Sequence, residues 1–172
     1  MIKSKKQQVW VWNTIDDKTK FLIASTVSNG RSMQETREHF KICKTNVLNK
    51  PELVYTDGLQ TYNKALKKEL RVLPKQWYKV EGTRHIRSVG LGKNNLIERH
   101  HSTQKERIKV MRGLPNNEAV IKHSNDFRTY YNFIRPNQSL NGFTPAQACG
   151  FEKETWISLI KKSTRVDNIV KS

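Results

Sequence analysis

The segment Val54-Tyr55-Thr56-Asp57-Gly58 constrains this chain most, because it is a strand-forming run that stops on a carboxylate and a glycine. A second carboxylate, Glu98, stands where Asn94-Asn95-Leu96-Ile97-Glu98-Arg99 opens a helix. A strand end and a helix can present two acids to one divalent metal. Steps of four, three, four and three from Glu98 reach Ser102, Lys105, Lys109 and Arg112. On a helix that spacing stacks them into one stripe. Acids able to hold a metal, at the head of a cationic stripe, suit phosphodiester chemistry, in which cations hold the backbone and a metal activates water.

The charge balance agrees. Among 172 residues, 32 are Lys or Arg and 15 are Asp or Glu, a formal net charge of +17. Such an excess works against compactness and implies a polyanionic partner. Hydrophobic residues make up 35 % and there are four Trp, so the chain is no disordered basic tail but one domain with a core to bury. Cys43 and Cys149 are far apart and form no CxxC pair, which suits a reducing cytoplasm and two ordinary buried residues. No apolar run reaches membrane-spanning length, and Met1 to Lys6 is followed by no apolar segment of a signal peptide.

Val9 to Ile15 and Phe21 to Val27 predict two strands joined by the turn Asp16-Asp17-Lys18-Thr19. Ser32 with Glu35 forms a capping box for a helix whose apolar face carries Met33, Phe40, Cys43 and Val47. After the strand Leu53 to Thr56, Leu59, Tyr62, Leu66 and Leu70 recur at helical spacing. Residues 71–93 give no clear assignment, with Trp77 to Val80 and His85 to Arg87 readable as short strands or loop. A long helix is predicted from Asn94 to Arg112, ended by Gly113 and Pro115. Another starts near Asn116 and shows Val120, His123, Phe127, Tyr130, Tyr131 and Ile134 on one face. Thr144-Pro145 opens a short helix, and Thr155 to Lys162 a last turn or two. The order predicts an α/β domain with a mixed sheet over residues 1–150, then a helical tail, 151–172.

In this order the segments resemble the catalytic domain of DDE-type transposases of bacterial and archaeal insertion sequences. Those are relatives of retroviral integrases with a ribonuclease-H-like mixed sheet flanked by helices. Trp12 to Thr19 is similar to the family's second strand and turn, and Ser28 to Arg31 to its S-x-x-R corner. Tyr55 to Gly58 with Tyr62 looks like the segment of the second catalytic acid. Asn94 to His101, continuing to Arg107, looks like that of the third. Tyr131 to Pro136, Leu140, Thr144 to Ala146 and Gly150 look like the closing signature. The resemblance implies that Asp57 and Glu98 are catalytic and metal-binding. It implies Mg2+ or Mn2+ as cofactor, and transposon ends and target DNA as partners, in a prokaryotic, nucleoid-associated setting. With Arg99, the cations Lys105, Lys109 and Arg112 are the expected DNA contacts. A homo-oligomer is compatible with it, and no membrane is implied.

One departure stands out. Only two strands are predicted before the first helix, so the family's first strand and its acid are expected to be missing from this chain. Asp16 and Asp17 make an ordinary turn and would lie at the opposite end of the sheet from Asp57. The expectation is a truncated transposase core, inert or nearly so. The alternatives are a non-catalytic DNA-binding remnant that interferes with an intact transposase, or a structure-selective nuclease with its third acid elsewhere. Trp10 and Trp12 share one strand face and are expected to pack in the core rather than stack on bases. At least one of His100 and His101 is expected to be a buried helix histidine.

Overall fold

The computed structural model describes residues 2–3, 8–74, 81–88 and 95–151. Its strands are β1 (Ile2–Lys3), β2 (Gln8–Ile15), β3 (Leu22–Ser28), β4 (Leu53–Thr56) and β5 (Arg84–Arg87). The α-helices are α1 (Met33–Thr45), α2 (Gln60–Leu70), α3 (Asn95–Val110), α4 (Asn117–Thr129) and α5 (Pro145–Ala148). A π-helical turn, Tyr130–Ile134, continues α4, and a short 3-10 turn covers Gln138–Leu140. The predicted Trp77 to Val80 strand and Thr155 to Lys162 helix lie outside the described residues.

The hairpin forms as predicted. β2 and β3 pair antiparallel from Trp10↔Ser28 to Ile15↔Leu22, with an irregularity at Thr14/Ile15. Its turn is held by Asp16, whose Oδ2 accepts from the Thr19 amide at 2.8 Å and the Thr19 hydroxyl at 2.7 Å. That is the Asx arrangement that makes Asp a turn residue.

One expectation about the sheet needs correction: residues of a first strand are present, since Ile2 and Lys3 pair antiparallel with Val9 and Gln8. Among the described residues the strands form two ladders, β1-β2-β3 antiparallel and β4-β5 parallel.

Helices cover both faces of the antiparallel sheet, because β2 alternates. Trp12 and Thr14 turn toward α1, where Trp12 meets His39 at 6.1 Å and Thr14 Oγ1 bonds His39 Nε2 at 2.8 Å. Val9 and Val11 turn the other way, into a cluster with Ile108, Leu114 and Val120. A second cluster joins Ala24 to Phe40, Cys43, Ala65, Leu66 and Leu70, which locks α1 and α2 together. Each buried aliphatic or aromatic side chain in them contributes about 1.5–3 kcal/mol of transfer free energy. His39 also bonds Thr26 at 2.8 Å, so one imidazole ties α1 to both hairpin strands. Burial holds its pKa down at about 4, which keeps it the neutral bridge between two hydroxyls. Cys43 is buried as expected, and burial pushes its thiol up to about 11. Cys149 is exposed, contrary to expectation, because it caps α5 while Pro145 and Ala146 take the buried positions.

The predicted Ser32–Glu35 box closes α1 and the predicted Thr144 cap opens α5, where Gln147 completes a second box. The helix predicted to begin near Asn116 does so, with Asn116 Oδ1 accepting from the Ala119 amide at 2.8 Å. Beyond α4, the buried Asn132 reaches across to β3. Its Oδ1 accepts from the Leu22 amide at 2.8 Å and its Nδ2 donates to the Leu22 carbonyl at 3.1 Å. Asn132→Ala should cost about 2–4 kcal/mol, since two bonds go and a buried amide and carbonyl lose their partner. Chemical denaturation would measure it, and a loss below half a kcal/mol would sink the assignment.

Candidate active site

Asp57 directly follows β4, whose parallel pairing with β5 runs from Leu53↔Arg84 to Thr56↔Arg87. The Ser88 amide extends that ladder by donating to the Thr56 carbonyl at 2.8 Å. Asp57 is exposed, and its Oδ1 accepts from the Leu59 amide at 2.9 Å, turning the chain into α2. One carboxylate oxygen thus builds the turn. The other accepts no bond among the described residues.

Glu98 lies exposed in the first turn of α3, where a carboxylate also suits the helix dipole. One turn on, His101 is half-buried on the same side. Its Nε2 is buried and has no hydrogen-bond partner among the described residues. Burial, helped by Lys105, lowers the His101 pKa to about 4, while the Asp57 carboxylate pulls it upward. The structure thus places Asp57 at the end of β4 and Glu98 in the first turn of α3.

His100 points elsewhere. It is the buried histidine of the pair, 4.9 Å from the Tyr131 ring and 5.4 Å from Phe127. Burial drives its pKa to about 3. His100, Gln104 and Ile108 form the buried face of α3. Gln104 Oε1 accepts from Asn13 Nδ2 at 3.5 Å, which fixes the helix on β2.

The opposite face is open. Arg99, Ser102, Lys105 and Lys109 are all exposed, as the stripe requires. Arg112 is a correction: α3 ends at Val110, and Arg112 and Gly113 take left-handed φ of 58° and 88°. The Gly113 amide closes the end on the Ile108 carbonyl at 3.0 Å, a C-terminal cap that carries Arg112 off the helical stripe.

Asp16 and Asp17 are occupied by the hairpin turn, Asp17 through Lys20 at 3.0 Å. Among the described residues, no three of His, Cys, Asp and Glu converge as a metal cluster. Asp57 and Glu98 are oxygen ligands of the right kind for a hard cation, but they stand one carboxylate short of a closed set.

Sequence reasoning missed two cations as site candidates. Arg31 lies over the Trp10 ring at 3.8 Å, and Arg107 over Tyr130 at 4.1 Å. The S-x-x-R spacing marked Arg31, but a corner motif alone carries no chemistry. Trp12 is buried as expected, edge-on to Tyr62 at 5.9 Å, while Trp10 is half-buried under Arg31.

A family model described as a DDE domain matches residues 1–136. The match takes in β1 through α4 and so both acids. A comparison with curated proteins finds no match. Among the described residues, no helix is long and apolar enough to cross a membrane.

Proposed function

This chain belongs to the DDE-domain family of insertion-sequence transposases, and from that premise we propose that it works on DNA through Asp57 and Glu98. The observation that supports this most is the family match over residues 1–136, which takes in Asp57 at the end of β4 and Glu98 at the start of α3. On this reading the two carboxylates hold Mg2+ or Mn2+ between the end of β4 and the start of α3. A metal bound there supplies activation of the attacking oxygen and stabilisation of the leaving one. The chain's own residues do the rest. His101, one helical turn from Glu98, is kept neutral by burial and adds no competing cation. Arg99, Lys105 and Lys109 hold backbone phosphates along the exposed face of α3.

Among the described residues, Asp57 and Glu98 are two acids of a set that needs a third. On this reading the chain is a DNA-binding core whose strand cleavage and joining require a further carboxylate at the site. A non-catalytic role beside an intact transposase is the second reading, favoured by the absence of a three-ligand cluster among the described residues.

Metal titration tests the site. Asp57→Asn and Glu98→Gln should each weaken Mn2+ binding, followed by electron paramagnetic resonance. The loss should be at least the roughly 10–100-fold that losing even an outer-shell partner costs. If both variants bind Mn2+ like the parent, these carboxylates are not its ligands.

A further inference from the structure

Arg31 occupies the corner between β3 and α1 with an exposed side chain, yet its guanidinium is aimed. It stacks on Trp10 at 3.8 Å. The corner beneath it is tied down as well. Trp12 Nε1 donates to Ser28 Oγ at 2.7 Å, and Ser28 Oγ donates to the Gly30 carbonyl at 2.7 Å. Trp12 then meets Tyr62 at 5.9 Å. Tyr62 sits in the first turn of α2, the helix that the Asp57 turn begins. Corner, indole and phenol form one run of contacts, and the phenol lies on the helix that the Asp57 turn begins.

Both charges act on that phenol. Burial pushes the Tyr62 hydroxyl up, Asp57 adds to the rise, and Arg31 opposes it. Arg31 stands over the Trp10 ring at the corner that Trp12 ties to Tyr62, and Asp57 opens the helix that carries Tyr62. The described ion pairs, Lys20 with Asp17 and Arg37 with Glu69, leave Arg31 without a carboxylate. A planar cation stacked on an indole, with its donor edge open, is preorganised for a phosphate.

We infer that Arg31 binds a backbone phosphate of the DNA strand lying at Asp57 and so positions that strand at the acids. This rests on the reading of Asp57 as part of a DNA-processing site. The aromatic platform fixes the guanidinium, so the strand is held from the β3–α1 corner as well as from α3. Two cationic supports on separate elements, the β3–α1 corner and α3, would restrict the strand to one path.

The test is a double-mutant cycle on duplex DNA affinity without metal. Arg31→Gln should make the plot of log affinity against log salt shallower by about 0.9, the share of one phosphate. Arg31→Lys should restore the slope, since it keeps the charge, which also shows that the loss is not misfolding. Asp57→Asn should strengthen binding by removing repulsion of the nearby phosphate. That gain should change by at least about threefold when Arg31 is also replaced, because the two side chains act on one phosphate. An unchanged slope in Arg31→Gln, or effects of the two substitutions that simply multiply, would overturn the inference while leaving the metal site standing. A parent chain that binds no DNA at low salt would overturn this and the wider DNA reading together.

Discussion

Affinity of the chain for duplex DNA should fall about a hundredfold or more between 50 and 200 mM salt. Each phosphate neutralised releases counterion, and the slope of log affinity on log salt is about −0.9 per contact. Arg31, Arg99, Lys105 and Lys109 alone give four contacts, a slope near −3.6, and so roughly two decades of affinity over that fourfold change in salt. The net charge of +17 lets further lysines add to it. Phosphate contacts carry no base information, so the affinity should depend little on sequence. Fluorescence anisotropy on two unrelated oligonucleotides would show both effects. Affinity indifferent to salt would remove the cationic face from the account.

The second large effect concerns cleavage. The 172-residue chain should neither nick nor join DNA in Mg2+ or Mn2+. A form extended ahead of Ile2–Lys3 by a segment that carries an Asp should nick a transposon-end oligonucleotide at a rate at least on the order of 10³-fold higher. The reason is ligand count. Asp57 has one oxygen engaged by the Leu59 amide, Glu98 adds one carboxylate, and nothing described completes a set of three. Robust cleavage by the present chain, lost in Asp16→Asn or Asp17→Asn, would show that the hairpin turn is catalytic. The bonds from Asp16 to Thr19 speak for a turn instead.

What could be read from the sequence was local. The Asp16 turn, the Ser32 and Thr144 boxes and the Asn116 cap are each written within four residues, and the structure makes all of them. The helix bearing Glu98 was legible from its period, though not its end, because Arg112 and Gly113 share the left-handed cap and only the glycine announces it. Pairings across the chain were not legible. β1 is defined by its pairing with Val9 and Gln8, and Ile2-Lys3 carries no periodicity of its own to reveal it. His39 bridges Thr14 and Thr26 from a helix, and nothing in the sequence near it names those hydroxyls. The link from the Arg31 corner to the helix that the Asp57 turn begins runs through Trp12 and Tyr62, contacts that exist only after the hairpin has packed on α1 and α2.

Asn132 has a meaning beyond its two bonds. β3 is the outer strand of its ladder, and the outward amide and carbonyl of Leu22 are where a further strand would dock. A primary amide offers the same donor and acceptor as a peptide group. With both engaged by Asn132, the helical layer imitates the missing neighbour at that point. A stranger's backbone seeking to add itself there would have to displace a side chain already in register.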